Sequence, residues 1–273
     1  MRNASRIITV LVFIFLYIPI LVLVVASFNT GTDLAVFKGF TFGQYRELFE
    51  DSSLLKLLLN TVIIALSSTA IATLLGTMAS VGIYNMRGKM RSLVMSMTNI
   101  PLTNPDIVTG VSLALMFAFT GTLLKINSVL GFGTLLIAHV TFNLPYVILN
   151  VIPKLHQMDP NLTEAALDLG CTPLKAFFKV TIHEIMPGIV AGAIMSLTMS
   201  LDDFVISYFV TGAGFVTLPV EIYNYVKKPI PPRLYALFTL MFAVILILMT
   251  AMNVIQASDR KKTRRILEEE VPQ

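Results

Sequence analysis

The chain has no tryptophan, one cysteine and three histidines among its 273 residues. A lone Cys171 closes no intrachain disulfide and reads as a small loop residue. His139, His156 and His183 are scattered, without metal-ligand spacing or a visible nucleophile–base pair, which disfavours a membrane enzyme. Each reads best as a bonded helix or loop residue. No G-x-x-x-x-G-K-[ST] phosphate loop occurs, so the chain has no ATP site of that kind. Tryptophan often marks both membrane interfaces; here Tyr and Phe must fill that role. The larger shortage is of charge. Asp, Glu, Lys and Arg make up 13% of the residues and hydrophobic types 55%, whereas soluble domains carry about 25% charged residues. With a mean hydropathy of +0.79, this is the composition of an integral membrane protein.

Charge is missing altogether between Arg6 and Asp33, Lys56 and Arg87, Lys125 and Lys154, and Arg233 and Asp259. Two further stretches are interrupted only by acids: Asp106 between Arg91 and Lys125, and Asp202 with Asp203 between Glu184 and Glu221. Each supplies the roughly 20 apolar residues that a helix needs to cross a bilayer, and helices satisfy their own backbone in lipid. The pattern predicts an all-α membrane protein with six transmembrane helices, at 7–27, 58–84, 92–119, 132–152, 187–210 and 234–257. The first is longer than a signal-peptide core and no clear A-x-A site follows it, so it reads as a retained helix. Six spans place both termini on one side. With the termini inside, thirteen Lys and Arg are cytoplasmic and seven are outside, as the positive-inside rule favours. The net charge of +4 follows from that topology, and the Arg260–Arg265 cluster needs no nucleic acid to explain it. Three segments result: an N-terminal helix and outer loop at 1–57, a transmembrane domain at 58–257, and a cytoplasmic tail at 258–273.

The outer loop from Phe28 to Lys56 carries Asp33, Glu47, Glu50 and Asp51, read as solvated. The inner turn Arg87-Gly88-Lys89-Met90-Arg91 is short and basic. The third span opens Asn99-Ile100-Pro101-Leu102-Thr103-Asn104-Pro105-Asp106, and two prolines four apart predict a kink or local unwinding. Asn143-Leu144-Pro145 predicts a milder break in the fourth span. Ala72, Gly76 and Ser80 in the second span, and Gly188 and Gly192 in the fifth, permit close helix approach.

A carboxylate at the bilayer centre costs about 2.5–3.5 kcal/mol on insertion scales. Asp106, Asp202 and Asp203 must therefore face the bundle interior, water or a cation. Asp106 lies near the middle of its predicted span, on one helical face with Asn99, Thr103 and Gly110. Asp203 shares a stripe with Ser196, Ser200 and Ser207, while Asp202 stands about 100° round the helix among Met195, Thr198, Ile206 and Phe209. Both stripes suit a lined pathway; the competing reading is that the acids cap broken helices or bond nearby backbone. No Lys or Arg lies within any span, which favours a transient cationic partner. Phe204, Tyr208 and Phe209 add aromatic faces for cation–π contact.

The loop at about 154–186 is polar and long. Glu164-Ala165-Ala166-Leu167-Asp168-Leu169-Gly170 predicts a short helix, with Asp159, Asn161 or Thr163 placed to cap it and Gly170 to end it. A second helical stretch, Leu174 to Ile185, returns to the membrane at Met186-Pro187. Such a helix–turn–helix resembles a docking element. Glu164, Ala165, Ala166 and Gly170, followed by Val180-Thr181-Ile182-His183, resemble the coupling loop of ATP-binding-cassette importer permeases, with His183 in place of the usual proline and Pro187 four residues on. Asn104-Pro105-Asp106-Ile107-Val108, Ser200-Leu201-Asp202-Asp203-Phe204-Val205 and Phe209-Val210-Thr211-Gly212 narrow the resemblance to spermidine/putrescine permeases of the PotC type.

That resemblance covers essentially the whole chain. It implies a type I importer permease (MetI-like) fold in a bacterial plasma (inner) membrane, and a pathway lined by Asp106, Asp202, Asp203, Asn99, Thr103, Ser200 and Tyr208. Glu164, Ala165, Ala166, Asp168 and Gly170 would couple to an ATPase. The implied partners are a second, PotB-like permease, two PotA-like ATPases and an extracytoplasmic polyamine-binding protein. ATP and Mg would belong to the ATPase, with no cofactor in this chain. Asp106→Asn and Asp203→Asn are each expected to lower uptake with assembly intact. The nearest alternative is the same machine carrying another small cation or solute, such as ferric ion or thiamine; anionic cargo fits poorly with three acids and no buried base. A proton- or sodium-coupled secondary transporter leaves the coupling loop unexplained and shows no clear inverted repeat.

Overall fold

The computed structural model describes residues 2–31, 36–126, 129–159, 161–212, 214–226 and 231–269. Asp33 of the outer loop, and Lys227 and Lys228 among the seven outer Lys and Arg, lie outside these residues, as do 270–273 of the tail and the side chains of Arg260–Arg265. Among the described residues there is no sheet, only isolated bridges at Asn29 with Phe40 and Gly212 with Phe215. The helices are α1 (Arg2–Ser27), α2 (Gly43–Glu50), α3 (Ser52–Asn85), α4 (Gly88–Thr103), α5 (Asp106–Leu124), α6 (Phe132–Gln157), α7 (Asn161–Asp168), α8 (Pro173–Ala176), α9 (Ile182–Asp202), α10 (Val205–Val210), α11 (Leu218–Val226) and α12 (Arg233–Glu269).

Six helices have the length and apolarity to span a membrane: Arg6–Ser27, Ser52–Asn85, Asp106–Leu124, Phe132–Gln157, Pro173–Asp202 and Arg233–Val254. Two of them differ from the sequence reading. The third span is 106–124, not 92–119, because the chain leaves helical geometry at Asn104-Pro105. The fifth does not run unbroken to 210: α9 stops at Asp202 and α10 starts again at Val205. The break expected at Asn143–Pro145 is absent. α6 continues through Pro145 and Pro153, since one proline costs a single intrahelical bond and tight packing on this stretch holds the rod together.

The chain divides into two compact units, Met1–Leu58 with Glu221–Ile247, and Leu59–Val220 with Leu248–Gln273. In the first, Phe28, Phe40, Phe42 and Tyr45 form an aromatic cluster with ring centroids 5.1–6.3 Å apart. Asn29 organises the loop: its Oδ1 accepts from Gly31 N (3.1 Å) and Lys38 N (2.9 Å), and its Nδ2 donates to Val36 O (2.8 Å). Glu47 and Glu50 are exposed as expected, but Asp51 is not simply solvated. Asp51 Oδ1 accepts from Ser53 N, Ser53 Oγ and Leu54 N, which caps α3. Its Oδ2 lies 3.3 Å from Arg233 Nη2. The Ser53 hydroxyl foremost holds the Asp51 carboxyl below its ordinary value against burial, the next largest effect, with the two amides and Arg233 adding to the lowering.

The second unit is organised around α6, which lies between α3 and α9. A Cβ on Gly76 of α3 would stand 2.8 Å from Val147 Cβ, and one on Gly192 of α9 3.0 Å from Val147 Cα. Gly188 faces the Asn150 carbonyl and Lys154 in the same way. The small residues therefore let two helices close on opposite sides of one valine, where packing rather than water exclusion binds helices in lipid. Ala72, Val147, Val151, Leu155 and Ile185 fill the centre, and Ile83, Ile148 and Ile152 continue it toward α4.

Candidate functional site

Both predicted acid stripes are interrupted, and the interruptions build the site. Asn104 (φ −84°, ψ 139°) and Pro105 (φ −58°, ψ 132°) are extended, as expected of a residue preceding proline and of the proline itself. Asp106 thus heads α5 instead of standing in mid-helix, and the helical register that joined it to Asn99 and Thr103 is lost. Asn99 is half-buried and Thr103 exposed, the Thr103 hydroxyl donating back to Ile100 O (3.1 Å). Asp106 keeps Gly110 one turn above it on the same helix. It is exposed, at the positive end of the α5 dipole.

The second break splits the acid pair. Asp202 is the last residue of α9 and is exposed. Asp203 is extended (φ −62°, ψ 117°), and its carboxylate turns onto the start of α10. Oδ2 accepts from Ser207 N (2.8 Å) and Ser207 Oγ (2.7 Å), and Oδ1 from Ile206 N (3.3 Å). The capping alternative therefore describes Asp203, whose side chain is only 9% exposed. Ser200 also lies inside, bonded to Ser68 Oγ (3.1 Å) and to His139 Nδ1 (2.6 Å), so it does not line an open path in this chain. Tyr208 is 46% exposed and sits 5.5 Å, centroid to centroid, from both Phe204 and Phe209.

The two breaks meet. A Cβ on Gly110 would lie 3.0 Å from Phe209 Cδ2 and 3.3 Å from Ile206 Cα, so α5 and α10 run side by side where glycine admits them. Asp106 is four residues before Gly110, and Asp202 four before Ile206. Tyr146 of α6 is within electrostatic reach of both Asp106 and Asp202. Neither acid forms an ion pair among the described residues. Sequence reasoning passed over Tyr146, and it read His139 as an ordinary bonded residue. It had no means of seeing that His139 touches both sides of the second break. Among the described residues no group of three or more His, Cys, Asp or Glu is placed to hold a metal ion.

The loop after α6 forms the expected short helix, α7. Of the three candidate caps, Asp159 serves, its Oδ1 accepting from Asn161 N (2.9 Å). Gly170 has φ +84°. Its N–H donates to Leu167 O and that of Cys171 to Ala166 O, the paired bonds of a Schellman ending. Glu164, Ala165, Asp168 and Gly170 are exposed and Ala166 half-buried. Leu169, Leu174 and Phe178 are also outward, at 87%, 72% and 65%. The second helical stretch is not uniform: α8 is followed by a π-helical turn at Phe177–Thr181 that runs directly into α9. His183 takes an ordinary exposed helical place, with Pro187 inside α9.

Residues 72–263 match the family described as binding-protein-dependent transport system inner membrane component. The spermidine/putrescine transport system permease protein PotC of Haemophilus influenzae is 36% identical over 255 residues, 93% of this chain and 96% of its own. The putrescine transport system permease protein PotI of Escherichia coli (strain K12) is 37% identical over 247 residues, 89% of this chain and 88% of its own. Among solved structures, a bacterial ABC transporter involved in the import of the acidic polysaccharide alginate superposes with a TM-score of 0.69 at 16% identity, covering 95% of this chain and 94% of that one. The MetNI methionine ABC transporter gives 0.55 at 20% identity, covering 79% and 98%. These likenesses establish the fold of a type I ABC importer permease, as the motifs implied. Matched over most of its length in both sequence and fold, the chain belongs to the binding-protein-dependent transport system inner membrane component family.

Proposed function

We propose that this chain is a permease subunit of an ATP-driven polyamine importer. It forms half of the translocation pathway with a second, PotB-like permease, above two PotA-like ATPases that bind ATP and Mg. An extracytoplasmic binding protein delivers spermidine or putrescine. The observation that carries the cargo class is the pair of exposed carboxylates, Asp106 and Asp202, at adjacent helix breaks and free of ion pairs among the described residues. The relatives named for spermidine and putrescine support the same cargo. Separated carboxylates beside Tyr208 suit a flexible chain of ammonium groups, and a modest field lets the cargo leave again. The fold alone does not choose cargo: the alginate importer shares it.

In this reading α7 is the coupling helix. Glu164 and Asp168 present charge and Leu169, Leu174 and Phe178 present apolar surface to the ATPase, with both termini on the same, cytoplasmic side. Glu164→Lys, on an exposed site, is expected to abolish uptake while the permease pair still assembles; normal uptake would remove the docking assignment. The cargo is tested by ATP hydrolysis of the reconstituted complex with its binding protein empty or loaded. Stimulation by the spermidine-loaded form alone is the expected result. An assembled complex whose hydrolysis ignores spermidine but answers another cation would overturn the polyamine reading and keep the permease.

A further inference from the structure

His139 is the most enclosed titratable side chain among the described residues of the second unit, 1% exposed, and it bridges the second helix break from a different helix. Its Nδ1 lies 2.6 Å from Ser200 Oγ, on α9 before the break, and its Nε2 2.9 Å from Ser207 Oγ, on α10 after it. The proton positions follow from counting donors. Ser207 Oγ donates its only hydrogen to Asp203 Oδ2, so toward His139 it offers a lone pair. Nε2 of a neutral ring must then carry the proton, and Nδ1 must accept from Ser200. Ser68 Oγ lies 3.1 Å from Ser200 Oγ and also donates to Ala65 O (3.2 Å). The result is a chain of hydrogen bonds, Ser200 to His139 to Ser207 to Asp203, with every donor pointing toward the carboxylate. Such chains strengthen bond by bond in a low dielectric. The 3.5 Å from His139 Nε2 to Asp203 Oδ2 is too long for a direct bond, so the Ser207 hydroxyl is the link.

The far end of α10 is tied to the same helix and the turn before it. Thr134 Oγ1 donates to Val210 O (3.1 Å). At Gly212 a Cβ would fall 2.1 Å from Leu130 O, so the backbones touch. A six-residue helix has little stability of its own, and its position is set by these two ties. α6 and α9 are also the helices that enter and leave the coupling loop.

We propose that His139 is a positioning residue for transport: by pinning both sides of the break it commits Asp203 to the cap and fixes where Asp202 and Tyr208 stand. The proposal rests on the reading that this break lines the pathway. It is tested in the whole importer, reconstituted in lipid vesicles, by measuring spermidine moved per ATP hydrolysed. A leucine at 139 fills the space without bonding, whereas glutamine both donates and accepts. His139→Leu is expected to keep stimulated ATP hydrolysis while transport per ATP falls about tenfold, and His139→Gln to recover most of it. A fold defect would lower both readouts together. Equal transport per ATP in the leucine, glutamine and wild-type proteins overturns the proposal, as does equal loss in leucine and glutamine. If the leucine variant fails to assemble, Ser200→Ala removes one arm of the bridge and leaves the ring. Its expected loss is about threefold in transport per ATP, and wild-type behaviour overturns the proposal. Asp202→Asn is run in parallel. Unchanged transport there removes the pathway reading itself, while a loss there with intact His139 variants removes only the role given to His139.

Discussion

Asp106 and Asp203 both follow a break in a membrane helix, and they meet opposite conditions. Asp106 heads α5, exposed, without a side-chain hydrogen bond among the described residues. Asp203 accepts three hydrogen bonds from the first turn of α10 and lies beside a buried histidine. The difference comes from neighbours. α10 is short and backed by α6, which brings His139 to the break; among the described residues no side chain bridges the start of α5 in that way. An intramembrane acid is costly unless partnered, so the one given partners by its own chain becomes structure. The other, like Asp202, is exposed and has no ion pair among the described residues.

The sharpest way to break this contrast is to exchange what each acid does. Asp203→Ala removes the acceptor that takes the Ser207 hydroxyl proton and the first amides of α10, and is expected to destabilise the subunit by about 2–3 kcal/mol. A lower thermal midpoint and reduced recovery of assembled complex would register it. Asp203→Asn, for which the sequence led to an expectation of lower uptake with assembly intact, is a separate case because the amide keeps one acceptor oxygen for these donors. An unaltered midpoint in Asp203→Ala would place Asp203 back among the open pathway acids. Next, Asp106→Asn and Asp202→Asn are each expected to leave the midpoint unmoved and to reduce spermidine uptake about tenfold, the scale of about 1.4 kcal/mol of lost charge interaction. Destabilisation by either, with uptake per assembled complex intact, would show that these acids too are structural. The smallest effect is expected at the contact between the breaks. Gly110→Ala sets a methyl 3.0 Å from the Phe209 ring and 3.3 Å from Ile206 Cα; the ring yields more readily than backbone. Uptake should fall by about two- to threefold with both acids present, the effect of about 0.5 kcal/mol. No change would mean that the spacing of α5 and α10 does not matter to passage.

A second contrast lies within α6. His139 and His156 are both bonded, but His156 stands at the exposed end of the helix nearest α7, where Nδ1 donates to Ile152 O (2.8 Å) and Nε2 accepts from Arg91 of α4, with Tyr84 edge-on at 5.3 Å. That arrangement ties three helices at an end that water reaches. The interior tie at His139 is made only of hydroxyls and one carboxylate, as a site without nearby bases requires.

Much of the fold was legible because lipid simplifies the code. Charge gaps reveal spans, since a charged side chain in hydrocarbon is penalised wherever it falls. The small residues at 76, 188 and 192 announced close packing, and Gly170 announced a left-handed ending. The site was legible in part. Asp106, Asp202 and Asp203 were recognisable as costly, but a continuous helical wheel was the wrong ruler for Asn99, Thr103 and Ser200, because each stripe crosses a break. Pro101 and Pro105 warned of the first. Nothing in Leu201-Asp202-Asp203-Phe204 warned of the second, where no proline or glycine stands.

The sequence by itself therefore determined the number of spans, the family and the presence of unneutralised acids, all of which depend on residue type and local spacing. Tertiary structure alone decided which acid is a cap and which stays open: the bonds that cap Asp203 are local to α10, but the break that allows them is bridged from α6, where His139 bonds Ser200, more than sixty residues away along the chain, and Ser207. Local pattern records what a residue costs; only packing determines who answers it.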